Sequence, residues 1–301
     1  MNARGAAIVM AMLLAALAAV IGASLLWEQE RWIGEHARRR DQVQAQALAM
    51  AGVQWARQIV FENAPAALVY LGQPWAFRLP ATPIENGSIG GYIVDAQAGL
   101  NLNNLANSPS DTTRAAFQRL FSELGEPVTF LNAIGDWVDP DDLVTDNGGA
   151  EDAYYLSQGV PALAANAPLQ RVSELLGVRG ADAALVARLF PFVDAIDAPA
   201  AVNVNTAPPE VLMAAIGGLD ATGAAALVAS RTQAPFGSIA DLRNKLPASV
   251  NIDETLLTVK SDWFLVTIEA HQGDTLAHAR ALLRRSATSG QWPGVVWQTV
   301  E

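Results

Sequence analysis

Residues 6–27 read AAIVMAMLLAALAAVIGASLLW, an uninterrupted apolar stretch with no charge and a single polar side chain, Ser24. As a helix rising about 1.5 Å per residue, it extends for about 33 Å, which is enough to cross the hydrocarbon core of a bilayer. A cleaved signal peptide is the main alternative, with Gly22 and Ala23 as a cleavage site, but its apolar region is usually only about 7–15 residues long. A buried core helix would need protein on every side. The stretch therefore predicts one membrane-spanning helix.

The chain that follows the apolar stretch is expected to continue as an amphipathic helix. Residues 41–61 contain no proline. Leu48, Ala51, Trp55 and Ile59 recur at spacings of three and four residues, which places them on one face of a helix. We therefore predict that the chain begins with one long helix, apolar all round in its first half and with a single apolar stripe in its second half.

The overall composition excludes several classes of protein. Of the 301 residues, 51% are apolar and 16% are charged, which is typical of a folded chain with a sizeable core. The net charge of -11 opposes binding to the phosphates of nucleic acids. The absence of cysteine removes disulfides, thiolate nucleophiles and cysteine-bound metals.

Catalytic motifs are missing from the sequence. It has no nucleophile elbow, phosphate-binding loop, dinucleotide-binding fingerprint or zinc-protease motif. The three histidines, His36, His271 and His278, lie far apart, and Asp194 and Asp197 are interpreted as charges at a helix end. The sequence therefore predicts a protein that is not an enzyme.

Strand patterns lie on both sides of a long helical block. Residues 92–95 are predicted to form a short strand that enters a turn at Gly99. Residues 107–257 mostly follow a helical pattern. Strand character then returns in three segments, residues 263–270, 276–285 and 294–300. This order predicts an α+β fold in which an all-helical domain is inserted into a small sheet domain.

A dense acidic segment is the strongest candidate for a binding site. Residues 136–152 contain seven acids and no base: Asp136, Asp139, Asp141, Asp142, Asp146, Glu151 and Asp152. Carboxylates packed together repel one another, and a hard divalent cation bound by oxygen ligands would relieve the repulsion. The flexible spacing favours calcium over magnesium and does not match an EF-hand. Composition alone also allows an acidic loop that is simply solvated.

A second motif predicts a helix-hairpin-helix unit. Residues 202–212 read VNVNTAPPEVL, and Gly217 and Gly218 then separate this helix from a second one. Thr206 can cap the first helix, whose first turn tolerates both prolines. Such hairpins bind DNA in some proteins, but the charges of residues 201–246 sum to zero. The sequence favours structural packing, with DNA binding as the alternative.

The start of the chain resembles the precursor of a type IV pilin or pseudopilin. Arg4 and Gly5 stand directly before the apolar stretch, as in the short basic leader that a prepilin peptidase removes. The resemblance implies cleavage between Gly5 and Ala6, methylation of the new N-terminus, and a body outside the cytoplasm. A count of positive charges predicts the opposite orientation, since four arginines follow the stretch and one precedes it. We therefore expect the orientation that the resemblance implies, with the body outside the cytoplasm.

Three further features are similar to the K-type minor pseudopilin of type II secretion. Counted from Ala6, Met10 is the fifth residue, where most pilins carry a glutamate that pairs with the N-terminal amine of the neighbouring subunit. Residues 100–105, LNLNNL, resemble a K-type segment. Residues 136–141 and 149–155 resemble the K-type segment associated with calcium. Met10 would then mark the first subunit of the filament, with no other subunit in front of it.

The resemblance implies a fold, a function and a set of partners. The fold is α+β, with a long transmembrane and amphipathic helix packed on a small antiparallel sheet. The implied segments are residues 1–5 as leader, 6–27 as transmembrane segment, 28–106 as helix and first strands, 107–257 as inserted helical domain, and 258–301 as last strands.

The implied function is to form the tip of the pseudopilus and to nucleate its assembly for protein export. The implied partners are minor pseudopilins of the I and J types, and of the H type, together with the prepilin peptidase and the bacterial inner membrane. The N-terminus would be cytoplasmic and the body periplasmic, with structural calcium and no nucleic acid. The alternative is a membrane-tethered DNA-binding module for DNA uptake.

Overall fold

A computed structural model describes residues 3–63, 67–106, 109–247, 250–286, 288 and 290–301, with side chains described from residue 8 and not for residue 63. The chain begins with one helix, α1, from Ala3 to Asn63. With 61 residues, it is about 90 Å long. The prediction of a single long N-terminal helix is therefore confirmed.

The first half of α1 is exposed and apolar. Ile8, Leu17 and Trp27 are 63%, 57% and 66% exposed. Among the described residues, this is the one helix long and apolar enough to cross a membrane, with a mean hydropathy of 2.6 in its apolar window. The helix is consistent with a single membrane span.

The second half of α1 packs on a sheet through a stripe of small residues. The buried positions are Ala45, Ala49, Val53, Ala56 and Val60. The stripe predicted from the sequence was therefore wrong in its position, because Ala51 and Trp55 are exposed and Leu48 and Ile59 are only partly buried.

The close approach of helix and sheet explains why small residues form this contact. The facing strand presents Ala277, Ala279 and Ala281, all fully buried. A Cβ atom added to Gly52 would lie 2.7 Å from a side-chain methyl carbon of Ile268. Large apolar side chains, such as those of the predicted stripe, would keep the helix and the sheet further apart.

The sheet has five antiparallel strands, which lie side by side in the order Leu79–Ile84 (β1), Gly87–Asp95 (β2), Trp263–Gln272 (β7), Thr275–Arg284 (β8) and Gly294–Val300 (β9). The short strands β3 to β6 lie between β2 and β7 in sequence and are outside this sheet. Four strands of the sheet agree with the predicted segments, whereas β1 falls in a stretch that the sequence did not mark as a strand. Alternation of side chains puts one face of the sheet against α1, and the opposite face packs in part on the helical region, where Trp263 and Leu282 are buried with Ile196.

The helical region leaves and returns at one end of the sheet. Strands β2 and β7 are neighbours, with Asp95 opposite Phe264, although the whole helical region lies between them in sequence. The helices are Asp111–Leu124 (α2), Phe130–Val138 (α3), Asp152–Leu156 (α4), Ala183–Leu189 (α5), Pro209–Ala215 (α6), Ala221–Gln233 (α7) and Ile239–Arg243 (α8). Sheet and helical region thus meet along one junction.

The helical region is not all helical, in contrast to the prediction. Two short parallel strand pairs tie it together, Leu100–Asn101 (β3) with Val193–Asp194 (β4) and Val202–Asn203 (β5) with Leu257–Thr258 (β6). Pairs of two residues per strand carry too little pattern to be seen in sequence.

Two large hydrophobic clusters and a third, smaller one stabilise the described part of the fold. One large cluster lies between α1 and the sheet and includes Trp75 and Phe264. The other large cluster fills the helical region and includes Phe117, Leu131 and Leu212. Helix α2, which lies in the predicted helical block, is capped by the Ser110 hydroxyl, which accepts a hydrogen bond from the Thr113 N–H at 3.2 Å.

Candidate metal site

The acidic segment starts on the buried side of α3. Asp136 is fully buried, and its Oδ2 atom accepts a hydrogen bond from the Thr145 N–H at 3.0 Å, while Oδ1 has no partner among the described residues. A Cβ atom at Gly149 would lie 2.2 Å from Asp136 Oδ2. Glycine at this position therefore lets the loop close over the carboxylate.

Three carboxylates converge beside Asp136. Asp139, Asp141 and Glu151 each place one oxygen within 4.8 Å of the others. Glu151 is only 2% exposed, and neither of its oxygens has a hydrogen-bond partner in the described part of the chain. One buried oxygen of Asp139 is also unpartnered. Buried carboxylate oxygens without donors are unfavourable unless a cation or water meets them.

The electrostatics of the cluster favour a cation. Burial, followed by the charges of Asp141 and Asp136, raises the pKa of Asp139 to about 6. Burial and the neighbouring carboxylates raise the pKa of Glu151 to about 7. Arg179 lies close by, but its guanidinium donates to the Gly149 carbonyl at 2.8 Å rather than to a carboxylate. The cluster therefore has strong negative potential, and none of its carboxylates forms a salt bridge with a base among the described residues.

The other predicted acids make different contacts. Asp142 accepts a hydrogen bond from the Asn166 amide at 2.9 Å, and Asp146 is exposed. The Asp152 carboxylate accepts from the Ala164 N–H at 2.9 Å. The structure thus brings together Asp139, Asp141 and Glu151 next to Asp136. Of the remaining three acids, Asp142 and Asp152 accept hydrogen bonds from loop residues, and Asp146 is exposed to solvent.

These residues fit a hard divalent cation. They offer carboxylate oxygens only, at irregular spacing and with several oxygens unsatisfied, which suits calcium better than the strict octahedral geometry of magnesium. A bound cation would supply positive charge to the cluster. The four acids would hold it, and the Thr145 N–H keeps Asp136 oriented toward the site.

We expect the metal-free fold to lose stability as the pH rises from about 4 to about 7. Asp139 and Glu151 have raised pKa values when folded, so the folded chain keeps protons that the unfolded chain has released. Calcium must displace these protons and should bind about 100-fold more weakly at about pH 5.5 than at about pH 7.5. Calorimetric titration at both pH values measures this, and an affinity independent of pH would contradict it.

The predicted processing and tip residues lie on α1. Gly5 and Ala6 lie in its first turn, where the structure describes the backbone but no side chains. Met10 is 63% exposed on the apolar half of the helix. An uncharged thioether therefore faces the surroundings of the helix at this position.

A buried polar junction joins sheet and helical region, and the sequence did not indicate it. Asp95, at the end of β2, is 4% exposed. Its Oδ2 atom accepts hydrogen bonds from Asn203 at 2.9 Å, Thr206 at 2.7 Å and Ser261 at 2.5 Å. Burial raises the pKa of Asp95, and the hydrogen bonds oppose that effect. Two of these donors, Asn203 and Thr206, belong to the VNVNT motif, which is the feature of the sequence that could have indicated the junction.

The glycine-separated helix pair is observed as α6 and α7. Gly218 has φ of 84°, and the Asp220 carboxylate caps α7 by accepting from the Gly223 N–H at 2.7 Å. Arg231 is buried and donates to the Val204 carbonyl at 2.7 Å. Arg119, from α2, donates to the Ala214 carbonyl at 2.8 Å. These two arginines are engaged within the protein.

Comparison with known proteins gives consistent matches. Two family models described as type II secretion system protein K match residues 98–198 and 202–260. The type II secretion system protein K of Klebsiella pneumoniae is 33% identical, over 97% of this chain and 95% of that protein. The protein K of Aeromonas hydrophila is 33% identical, over 72% of this chain and 73% of that protein.

A solved structure matches as well. A chain in the crystal structure of the GspK-GspI-GspJ complex from enterotoxigenic Escherichia coli has a TM-score of 0.76 and 25% identity. The match covers 89% of this chain and 99% of that chain. Together with the long helix on an antiparallel sheet, it defines a minor pseudopilin, a structural component of secretion and not an enzyme.

The chain belongs to the type II secretion system protein K family. The family predicted from the leader, Met10 and the acidic segment is therefore confirmed.

Proposed function

We propose that this subunit forms the tip of a type II secretion pseudopilus and nucleates its assembly. The observation that carries the proposal is Met10, an exposed and uncharged side chain where pilins usually place a glutamate. An ammonium group in hydrocarbon is unfavourable, and a carboxylate from the next subunit offsets that. Met10 cannot offer this pairing to a neighbouring subunit, so none is held ahead of it.

The proposed partners are minor pseudopilins of the I and J types, and of the H type. A similar chain was solved together with GspI and GspJ. Beyond the apolar stretch, α1 still exposes Trp32, Val43 and Trp55, at 61%, 65% and 47%. Large apolar groups left open in this way fit packing against helices of partner subunits. A bundle of such helices in the membrane would seed the filament, and the helical region would cap it.

The proposed topology places the leader in the cytoplasm and the sheet and helical region in the periplasm. Prepilin peptidase would cut between Gly5 and Ala6, and the new N-terminus would be methylated. We expect N-terminal sequencing after coexpression with the peptidase to begin at Ala6. A start near Ser24 would instead indicate a cleaved signal peptide and would overturn the membrane-anchored proposal.

Changing Met10 to glutamate tests the tip position. Met10→Glu should let subunits be seated ahead of this one, because the amine of a neighbouring subunit gains a partner. We expect the protein to move from filament ends to the shaft, with several-fold more copies per filament by immunogold labelling. Met12→Glu is the matched control, since Met12 is similarly exposed at 68% but lies on another face of the helix. Equal behaviour of the two variants, or wild-type protein along the shaft, would contradict the proposal.

The acidic cluster is proposed to bind structural calcium. Asp136, Asp139, Asp141 and Glu151 form the proposed ligand set, supported by their convergence and unpartnered oxygens. Asp142, Asp146 and Asp152 are proposed to shape the surrounding loop.

The inserted domain is proposed to span residues 107–257, although residue 107 lies outside the described residues. Its α6–α7 pair is proposed as a helix-hairpin-helix unit used for packing. Arg231 is buried, and Asp220 occupies the start of α7, where a DNA phosphate would otherwise sit. No nucleic acid partner is therefore proposed.

A further inference from the structure

A cavity of about 490 Å³ lies between the helical region and the face of the sheet opposite α1. The sheet contributes Leu265, Thr267 and Trp297, and the helical region contributes Phe190 and Asp194. This volume is in the range of about 300–1,000 Å³ that is typical of ligand sites. The cavity is separate from the acidic loop and from α1, so the functions proposed above do not use it.

Asp194 is one of three acidic residues that line this cavity, with Asp95 and Glu301. It lies on β4 rather than at a helix end, which corrects the interpretation made from sequence. The Gly99 N–H donates to its carboxylate. Among the described residues, no lysine, arginine or histidine forms a salt bridge with it. Burial, and the charge of nearby Asp95, raise the pKa of Asp194 well above its usual range.

Three basic residues line the cavity, Arg171, His278 and Arg280, and none of them forms a salt bridge with Asp194 among the described residues. Arg280 lies over the Phe190 ring, 5.3 Å from its centroid, and acts on Asp194 only at longer range. Arg171 pairs with Glu174 at 3.6 Å. The His278 side chain is exposed on β8. Asp194 therefore lies in a largely apolar recess and forms no salt bridge with a base in the described part of the chain.

We propose that this cavity binds a lysine or arginine side chain of a polypeptide. A cation with a long apolar stem matches both features of the recess: the head pairs with Asp194, and the stem packs on Leu265, Leu282 and Trp297. The inference does not depend on the tip position or on calcium.

A neighbouring apolar depression extends the site and favours a polypeptide over a free amine. It has a volume of about 340 Å³, is lined by Leu176 and Val186, and shares Phe190 and Ser173 with the cavity. An extended chain that places its basic residue at Asp194 can place a large apolar residue here.

The test uses the full chain in detergent micelles and a fluorescein-labelled peptide with one arginine and one leucine separated by a glycine. The control peptide carries citrulline, the neutral isostere, in place of arginine. We expect the arginine peptide to bind at least tenfold more tightly by fluorescence anisotropy, and Asp194→Asn to abolish the difference. The exposed neighbour Asp197 supplies the matched control, since Asp197→Asn should preserve it. Equal binding of both peptides, absence of binding, or a preference that survives in Asp194→Asn would overturn the proposal.

Two further measurements test the location of the binding site and the kind of ligand that occupies it. Thr267→Trp places a large side chain on the sheet wall of the cavity and leaves Asp194 in the sequence, and it should weaken binding of the arginine peptide more than tenfold even if Asp194→Asn does not fold. Unchanged binding by a folded Thr267→Trp variant would overturn the proposed location. Butylguanidinium alone should compete at least tenfold more weakly than the unlabelled peptide, and equal competition would overturn the polypeptide as the occupant.

Discussion

Calcium at a hundredfold excess over its dissociation constant should raise the melting temperature of the full chain by about 5–10 °C. Glu151→Gln should abolish this rise. The expected stabilisation is about 2.7 kcal/mol, because an ion that binds only the folded chain shifts the folding equilibrium by mass action. Glu151 is decisive since it is buried and both of its oxygens lack partners in the described structure. Circular dichroism melting with and without calcium measures the effect.

The sign of the metal-free result provides a second check on Glu151. Without calcium, Glu151→Gln should melt at or above the wild-type temperature, because the neutral amide removes repulsion from Asp136 and Asp139. Asp146→Asn is the matched control within the same loop, since Asp146 is exposed and outside the convergent cluster. Calcium should stabilise this control as it does the wild type. A wild-type melting temperature insensitive to calcium would refute the site.

Asp95→Ala should lower the free energy of unfolding by about 4 kcal/mol, the largest effect expected of a single polar residue here. The substitution leaves donors of Asn203, Thr206 and Ser261 buried without their acceptor. Each such group is destabilising by about 1–3 kcal/mol. Urea unfolding followed by tryptophan fluorescence measures the loss.

Two other variants separate the Asp95 network from its charge. Asp95→Asn keeps one acceptor oxygen, and the hydroxyls of Thr206 and Ser261 can rotate, so the loss should be about 1 kcal/mol. The exposed Glu85 provides the control, and Glu85→Ala should change stability by less than about 0.5 kcal/mol. An Asp95→Ala variant as stable as Glu85→Ala would show that the junction does not depend on this carboxylate.

The sequence predicted the elements that depend on local pattern. The long N-terminal helix, four strands of the sheet and α2 follow from periodicities of residues near one another in the chain. Strand β1 was missed because prolines interrupt its pattern at Pro80 and Pro83. The two-residue strands of the helical region carry no detectable pattern.

The candidate site was predicted as a segment, not as a geometry. The surplus of acids between Asp136 and Asp152 was visible in the sequence, and so was the absence of bases. Which acids converge depends on how the loop folds back on α3. Asp152, adjacent to Glu151, accepts a hydrogen bond from the Ala164 N–H and lies outside the cluster. Proximity in sequence therefore did not predict membership of the site.

The apolar helix that needs lipid or protein around it, the α+β order and the acidic loop could all be predicted from local pattern, because each is a property of neighbouring residues. Long-range packing places Ala45 and Ala49, rather than Trp55, against the sheet, and it places Asp95 and Asp194 at the junction with the helical region. Those outcomes depend on close packing between segments far apart in the chain, where the fit of volumes and the supply of hydrogen-bond partners outweigh the local pattern.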